Sequence, residues 1–204
     1  MKLNDQHELN YWRNASPQLI EEERGRLSIY LRAFGLPKYN GASTAVADVK
    51  SILEIGVGPL GGVLPLLPAR RKVGIDPLFS AYREIGLFKE QPGIEYVESY
   101  FEQWCTEERF EQIVSTNALD HGNLSFQIIP AIARLLAPRG RFYLHVHLRT
   151  PELLNAGHDH LMTIESLEEA LQQTSLVEIK RNIYEHDIDG QFCRALVAIW
   201  EQHA

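Results

Sequence analysis

The stretch that most limits this chain is Ile52-Leu53-Glu54-Ile55-Gly56-Val57-Gly58-Pro59-Leu60-Gly61-Gly62. An apolar strand, Ser51 to Ile55, runs into a glycine-rich bend, and Pro59 to Leu67 reads as a helix interrupted by Pro65. Glycine at such a bend lets the backbone turn tightly and approach a ligand with no side chain between them. Glu54 stands at the strand end, two residues before the first glycine. A carboxylate there suits a cationic ligand and suits a pyrophosphate poorly. The next strand ends in Gly74-Ile75-Asp76-Pro77, and Asp76 falls twenty residues beyond Gly56. An acidic side chain at that distance commonly accepts hydrogen bonds from a ribose hydroxyl pair.

The rest of the chain repeats the strand-and-helix theme. Ser16-Pro17 opens a helix, Ser as cap and Pro in the first turn, and Leu19, Ile20, Leu27, Tyr30, Leu31 and Phe34 recur at helical spacing up to Gly35. Beyond residue 50, strands alternate with helices. Val73 to Ile75, Ile94 to Val97, Ile113 to Ser115 and Arg141 to Leu148 read as strands. Helices are expected through Tyr82, Ile85 and Phe88, over Phe126 to Leu136, and over Thr163 to Gln173. Helices between strands of one sheet imply parallel strands with right-handed crossovers. The end differs: Val177, Ile179 and Ile183 lie on a strand, Asp189-Gly190 turns, and Ala195 to Trp200 returns as a hairpin.

Composition narrows the function classes. The 204 residues suit one domain, with residues 1–49 as a helical cap and 50–204 as the core. A net charge of -7 argues against a general nucleic-acid binder. No apolar run is long enough to span a bilayer, and the polar N-terminus lacks a secretory apolar segment, so a cytoplasmic setting is expected. Cys105 and Cys193 form no paired-thiol motif.

Glu54-Ile55-Gly56-Val57-Gly58-Pro59-Leu60-Gly61 resembles the first motif of the class I S-adenosylmethionine-dependent methyltransferases, and Asp76 resembles their second. The likeness continues through Asn117-Ala118-Leu119-Asp120-His121 and through Ala133 to Phe142, so it covers about residues 50 to 200. It implies an α/β fold, a three-layer Rossmann-like sandwich with a mainly parallel seven-stranded sheet in the order three-two-one-four-five-seven-six and a C-terminal antiparallel hairpin. It also implies roles in binding S-adenosylmethionine. Glu54 and the backbone of Gly56, Gly58 and Gly61 would hold the methionine part, and Asp76 the ribose. Pro77-Leu78, Ser99 and Tyr100 would border the adenine, with Asn117 near the methionine amino group. The plainer alternatives are a solvated strand-end carboxylate for Glu54 and a helix cap for Asp76. Ser99 stands where the family often has Asp, and Arg139-Gly140 where it has Gly-Gly, which leaves the adenine contacts least defined.

On the acceptor side the candidates lie after strands four and five, where open α/β sheets bind ligands. His145 and His147 share one strand face, and His147 is nearer the strand end. His147, His121 and His158 are the candidate bases, with Asp120, Asp159 and His160 beside them. The histidine spacing matches no specific metal signature, so no metal is assigned. Tyr11, Trp12 and Arg13 suit a cover over the site, or an anchor for the first helix. The expected activity is methyl transfer to a small organic acceptor, with oxygen as the favoured atom. The rivals are NAD-dependent oxidoreduction, because Gly56, Gly58 and Gly61 also fit G-x-G-x-x-G, and a non-catalytic cofactor-binding protein. A homodimer through the hairpin edge or the N-terminal helices is a further expectation.

Overall fold

Burial sorts the strand residues onto two faces of one sheet, as alternation along a strand requires. The computed structural model describes residues 3–36, 49–121, 126–148, 151, 154, 161–188 and 191–203. The sheet contains β1 (Ser51–Ile55), β2 (Arg71–Ile75), β3 (Glu95–Val97), β4 (Phe110–Thr116), β5 (Leu136–Leu148), β6 (Leu176–Ile188) and β7 (Gln191–Gln202). Their order is β3-β2-β1-β4-β5-β7-β6, as expected. The β1–β2, β1–β4, β2–β3 and β4–β5 pairs are parallel, and β7 runs antiparallel to both β5 and β6. Residues Asp189-Gly190 lie outside the described residues, but Ile188 pairs with Gln191 on either side of them.

The helices are α1 (Leu3–Arg13), α2 (Pro17–Phe34), α3 (Phe79–Glu84), α4 (Ile129–Leu135) and α5 (Ile164–Leu171). On one face Leu53, Ile113, Leu144 and Trp200 pack with Ile132 of α4 and Leu167 of α5. On the other Ile52, Val114, Tyr143 and Val197 pack with Tyr30, Leu31 and Phe34 of α2. These are the three expected layers. The start of α2 is as read: the Ser16 side chain accepts from the Leu19 amide at 3.1 Å, and Pro17 follows. Gly35 ends the helix with φ 72°.

One expected helix is missing. Between Pro59 and Leu67 only Leu64–Leu66 coils, as a single 3-10 turn. Gly58, Gly61 and Gly62 hold φ values of 68°, 84° and 62°, which an α-helix does not admit, and Pro65 cannot donate to a helical ladder. The segment passes instead as a tight loop under α2, which buries Val63, Leu64 and Leu67. Two other helices are shorter than expected. α3 stops at Glu84 before left-handed Gly86, and Phe126–Ile128 forms a 3-10 turn ahead of α4. Among the described residues no helix is long and apolar enough to cross a membrane.

Candidate functional site

The carboxyl ends of β1, β2, β3, β4 and β5 bring most of the sequence candidates to one rim. The glycine loop leaves β1 at Gly56, whose N–H donates to the Ile75 carbonyl at 2.9 Å. Gly56 has φ 73°, and a Cβ there would stand 2.1 Å from the Ala118 Cβ. Only glycine therefore lets the β1 loop lie against the β4 loop.

Glu54 occupies a different place from the one its sequence position suggests. Its side chain is fully buried and accepts from the backbone N–H groups of Val63 (2.9 and 3.0 Å) and Leu64 (3.1 Å). A Cβ on Gly62 would come within 2.4 Å of the carboxylate. The carboxylate thus holds the loop that curls around it and does not face a ligand, and it is not a solvated strand end either. Burial pushes its pKa up to about 8, against the two backbone amides that favour the charged form.

Both carboxylate oxygens of Asp76 are bound by backbone amides. Its Oδ1 accepts from the Leu78 amide at 2.9 Å, a local turn ahead of α3, whose cap position is Leu78 rather than Asp76. Its Oδ2 accepts from the Gly58 amide at 2.8 Å, which ties it to the glycine loop. Burial raises its pKa to about 6; the Gly58 and Leu78 amides oppose the shift, Glu8 adds to it and His121 opposes it. Leu78, after Pro77, is buried with Leu9, Val57, Phe79 and Tyr82. The Ser99 hydroxyl donates to the Tyr100 carbonyl at 3.0 Å, and the Tyr100 hydroxyl donates to the Asp5 carboxylate.

At the end of β4, Asn117 holds a left-handed φ of 52° and donates its backbone N–H to the His145 carbonyl at 2.8 Å. Its Nδ2 donates to the Tyr30 hydroxyl at 3.3 Å, and its Oδ1 lies 3.0 Å from His145 Nδ1. With the amide so oriented, Nδ1 carries the proton of a neutral ring. The Tyr30 ring lies 4.4 Å from His145, and the His147 ring 5.6 Å beyond it. Burial pushes the Tyr30 pKa up to about 12, so its hydroxyl stays neutral. His121 lies apart from this group, with Nδ1 3.6 Å from Glu8 and Nε2 3.9 Å from Asp120. His158, Asp159 and His160 lie outside the described residues. Among the described residues no group of three or more His, Cys, Asp or Glu could hold a metal ion.

Three contributors escaped the sequence reading: Tyr30, Asp5 and Glu8. Tyr30 reads as an ordinary core position of α2, and the α1 carboxylates read as a polar terminus. α1 packs against the rim through Leu9 and Trp12, which is the anchoring role weighed for the aromatic cluster. Trp12 packs beside Leu9 and donates its indole N–H to Glu8 at 2.6 Å, whereas Tyr11 is 46% exposed.

A bent loop, an acid at the end of β2 and side chains after β3 and β4 meet along one edge, and a Cβ at Gly58 or Gly61 would meet open space. No family model and no curated protein matches the chain. Solved structures do. The chain is similar to the N-methyltransferase NodS from Bradyrhizobium japonicum WM9 in complex with S-adenosyl-L-homocysteine. The TM-score is 0.65 at 19% identity, over 97% of this chain and 95% of that one. It is also similar to Haemonchus contortus phosphoethanolamine N-methyltransferase 2, in complex with phosphomonomethylethanolamine and S-adenosylhomocysteine. There the TM-score is 0.62 at 13% identity, over 88% of this chain and 53% of that one. The cyclopropane synthase MmaA2 from Mycobacterium tuberculosis aligns with a TM-score of 0.52 at 17% identity, over 78% and 62%. The strand order, the glycine loop and these alignments agree: the chain has the fold of the class I S-adenosylmethionine-dependent methyltransferases.

Proposed function

We propose that the protein is an S-adenosylmethionine-dependent methyltransferase acting on a small organic acceptor. The observation that carries this reading is the pairing of Asp76 with the Gly58 amide, which sets a buried carboxylate at the bend of the loop. In the bound state Asp76 would receive the ribose hydroxyls, Leu78 and Tyr100 would border the adenine, and Asn117 would face the methionine end. S-adenosylmethionine supplies a methyl group on an activated sulfonium. The protein's work is then to align the acceptor with that methyl and to exclude water. An oxygen or nitrogen acceptor loses a proton, and a neutral imidazole can take it. His147, 9% exposed at the end of β5, and His121 are the described candidates, with His158 the third.

The names of NodS and the Haemonchus enzyme support nitrogen as well as oxygen for the acceptor atom. The net charge of -7 supports a small molecule over a nucleic acid, and a cytoplasmic setting belongs to the same proposal. The apolar side chains exposed on β6, among them Ile179, Ile183 and Tyr184, support pairing of two copies along that edge. The test is S-adenosylhomocysteine release from S-adenosylmethionine across a panel of small hydroxyl and amine compounds. Release dependent on one acceptor class is expected. Cofactor binding without turnover on any class would instead favour a non-catalytic binding protein.

A further inference from the structure

The sequence leaves the cationic end of the cofactor to Glu54, and the structure seals that carboxylate beneath the loop. An ammonium group in a partly dry site needs an anionic or strongly accepting partner. Besides Glu98 after β3, which Ser80 binds and which lies 3.7 Å from Arg83, the described carboxylates around the rim are Asp76, Asp120, Asp5 and Glu8. Asp76 has an amide donor on each oxygen, Asp120 is 1% exposed, and Asp5 is 6% exposed and bound by Tyr100. Glu8 is the most accessible of the four, with a side chain 26% exposed.

We infer that Glu8 of α1 is the carboxylate that meets the ammonium group of the cofactor's methionine end, so that α1 forms a wall of the site. The inference rests on the methyltransferase reading above. α1 lies across the rim from the loop after β3 to the loop after β4. Asp5 stands against Tyr100 after β3, Leu9 packs with Val57 of the glycine loop and with Leu78, and Glu8 faces His121 after β4. An adenosine seated at Asp76 and the residues after β3 directs its amino-acid tail towards the loops of β1 and β4. Glu8 stands on that side. Its surroundings also prepare it for the task. The Trp12 indole N–H fixes one oxygen at 2.6 Å, and the other lies 3.6 Å from His121 Nδ1, a position a ligand ammonium could share. The Tyr82 hydroxyl of α3 also hydrogen-bonds to the Glu8 carboxylate.

The test compares two ligands by calorimetry. S-adenosylhomocysteine carries the ammonium, and 5′-methylthioadenosine keeps the adenosine and thioether but lacks the amino-acid end. Glu8→Gln retains an acceptor for Trp12, so α1 stays seated; Glu8→Ala is the second variant. Both should weaken S-adenosylhomocysteine at least tenfold and leave 5′-methylthioadenosine within twofold of the unsubstituted protein. Equal loss of both ligands would show that Glu8 only seats the helix and would overturn the inference. So would unchanged affinity for both. If the unsubstituted protein binds neither compound, the methyltransferase reading itself falls, and the inference with it.

Discussion

The two halves of the rim are built by different means. At β1 and β2 the polar groups are fixed by nearby backbone. Glu54 is held by amides nine and ten residues away, and Asp76 by amides two and eighteen residues away. At β4 and β5 they are fixed by side chains from remote segments. Asn117 meets Tyr30 across 87 residues and His145 across 28. The first half is a rigid cradle written into one continuous stretch. The second is an assembly that exists only after α2 and β5 have packed. Under the proposed function the first construction would hold the ribose of the cofactor, and the second would bring its methionine end, at Asn117, together with the acceptor, at His147.

The sharpest way to break the cradle is Gly56→Ala. The new Cβ meets the Ala118 Cβ at 2.1 Å on a left-handed backbone, so a loss of about 4 kcal/mol is expected in urea unfolding. A loss below about 1 kcal/mol would mean that the two loops separate easily.

Next comes pH. Glu54 holds its proton up to about 8 when folded, against 4.5 for an ordinary carboxyl. The folded state therefore binds more protons than the unfolded state between those values, and stability falls as pH rises through that window. The fall should be on the order of 3 kcal/mol between pH 5 and 8. Asp76, raised to about 6 from 3.8, adds a fall of the same sign at the acid end. Glu54→Gln should flatten the slope between pH 6.5 and 8. An unchanged slope would assign the dependence elsewhere.

Asp76→Ala should weaken S-adenosylhomocysteine tenfold to a hundredfold, about 1.4 to 2.7 kcal/mol, because a buried ribose would lose its acceptor. Unchanged affinity in a folded variant would remove Asp76 from the site. In the other half, Tyr30→Phe should cost about 1 kcal/mol or less in stability, one neutral hydrogen bond. His147→Ala should leave S-adenosylhomocysteine affinity within twofold while lowering turnover. A loss of cofactor affinity as large as that of Asp76→Ala would erase the distinction between the halves.

The same division governs what the sequence discloses. Strand order, the Ser16 cap, the hairpin and the glycine loop all follow from local spacing, and they stand as read. The position of Asp76 was legible, since it depends on one strand end and one loop. The burial of Glu54 was not, because it follows from the unformed helix after Gly58. Consecutive left-handed glycines and Pro65 turn that segment back over the carboxylate. Tyr30 and Asp5 gave no signal, since they meet their partners 87 and 95 residues away, and Glu8 gave none, since it faces His121 on the loop after β4. The seat of α1 depends on Leu9 and Trp12, apolar residues in an otherwise largely polar segment.

The central claim is the identity of the cofactor. The most direct measurement is calorimetric titration of the purified protein with S-adenosylhomocysteine, with NADH titrated beside it. Saturable binding of S-adenosylhomocysteine alone is the predicted result. Binding of NADH alone, or of neither, would contradict it.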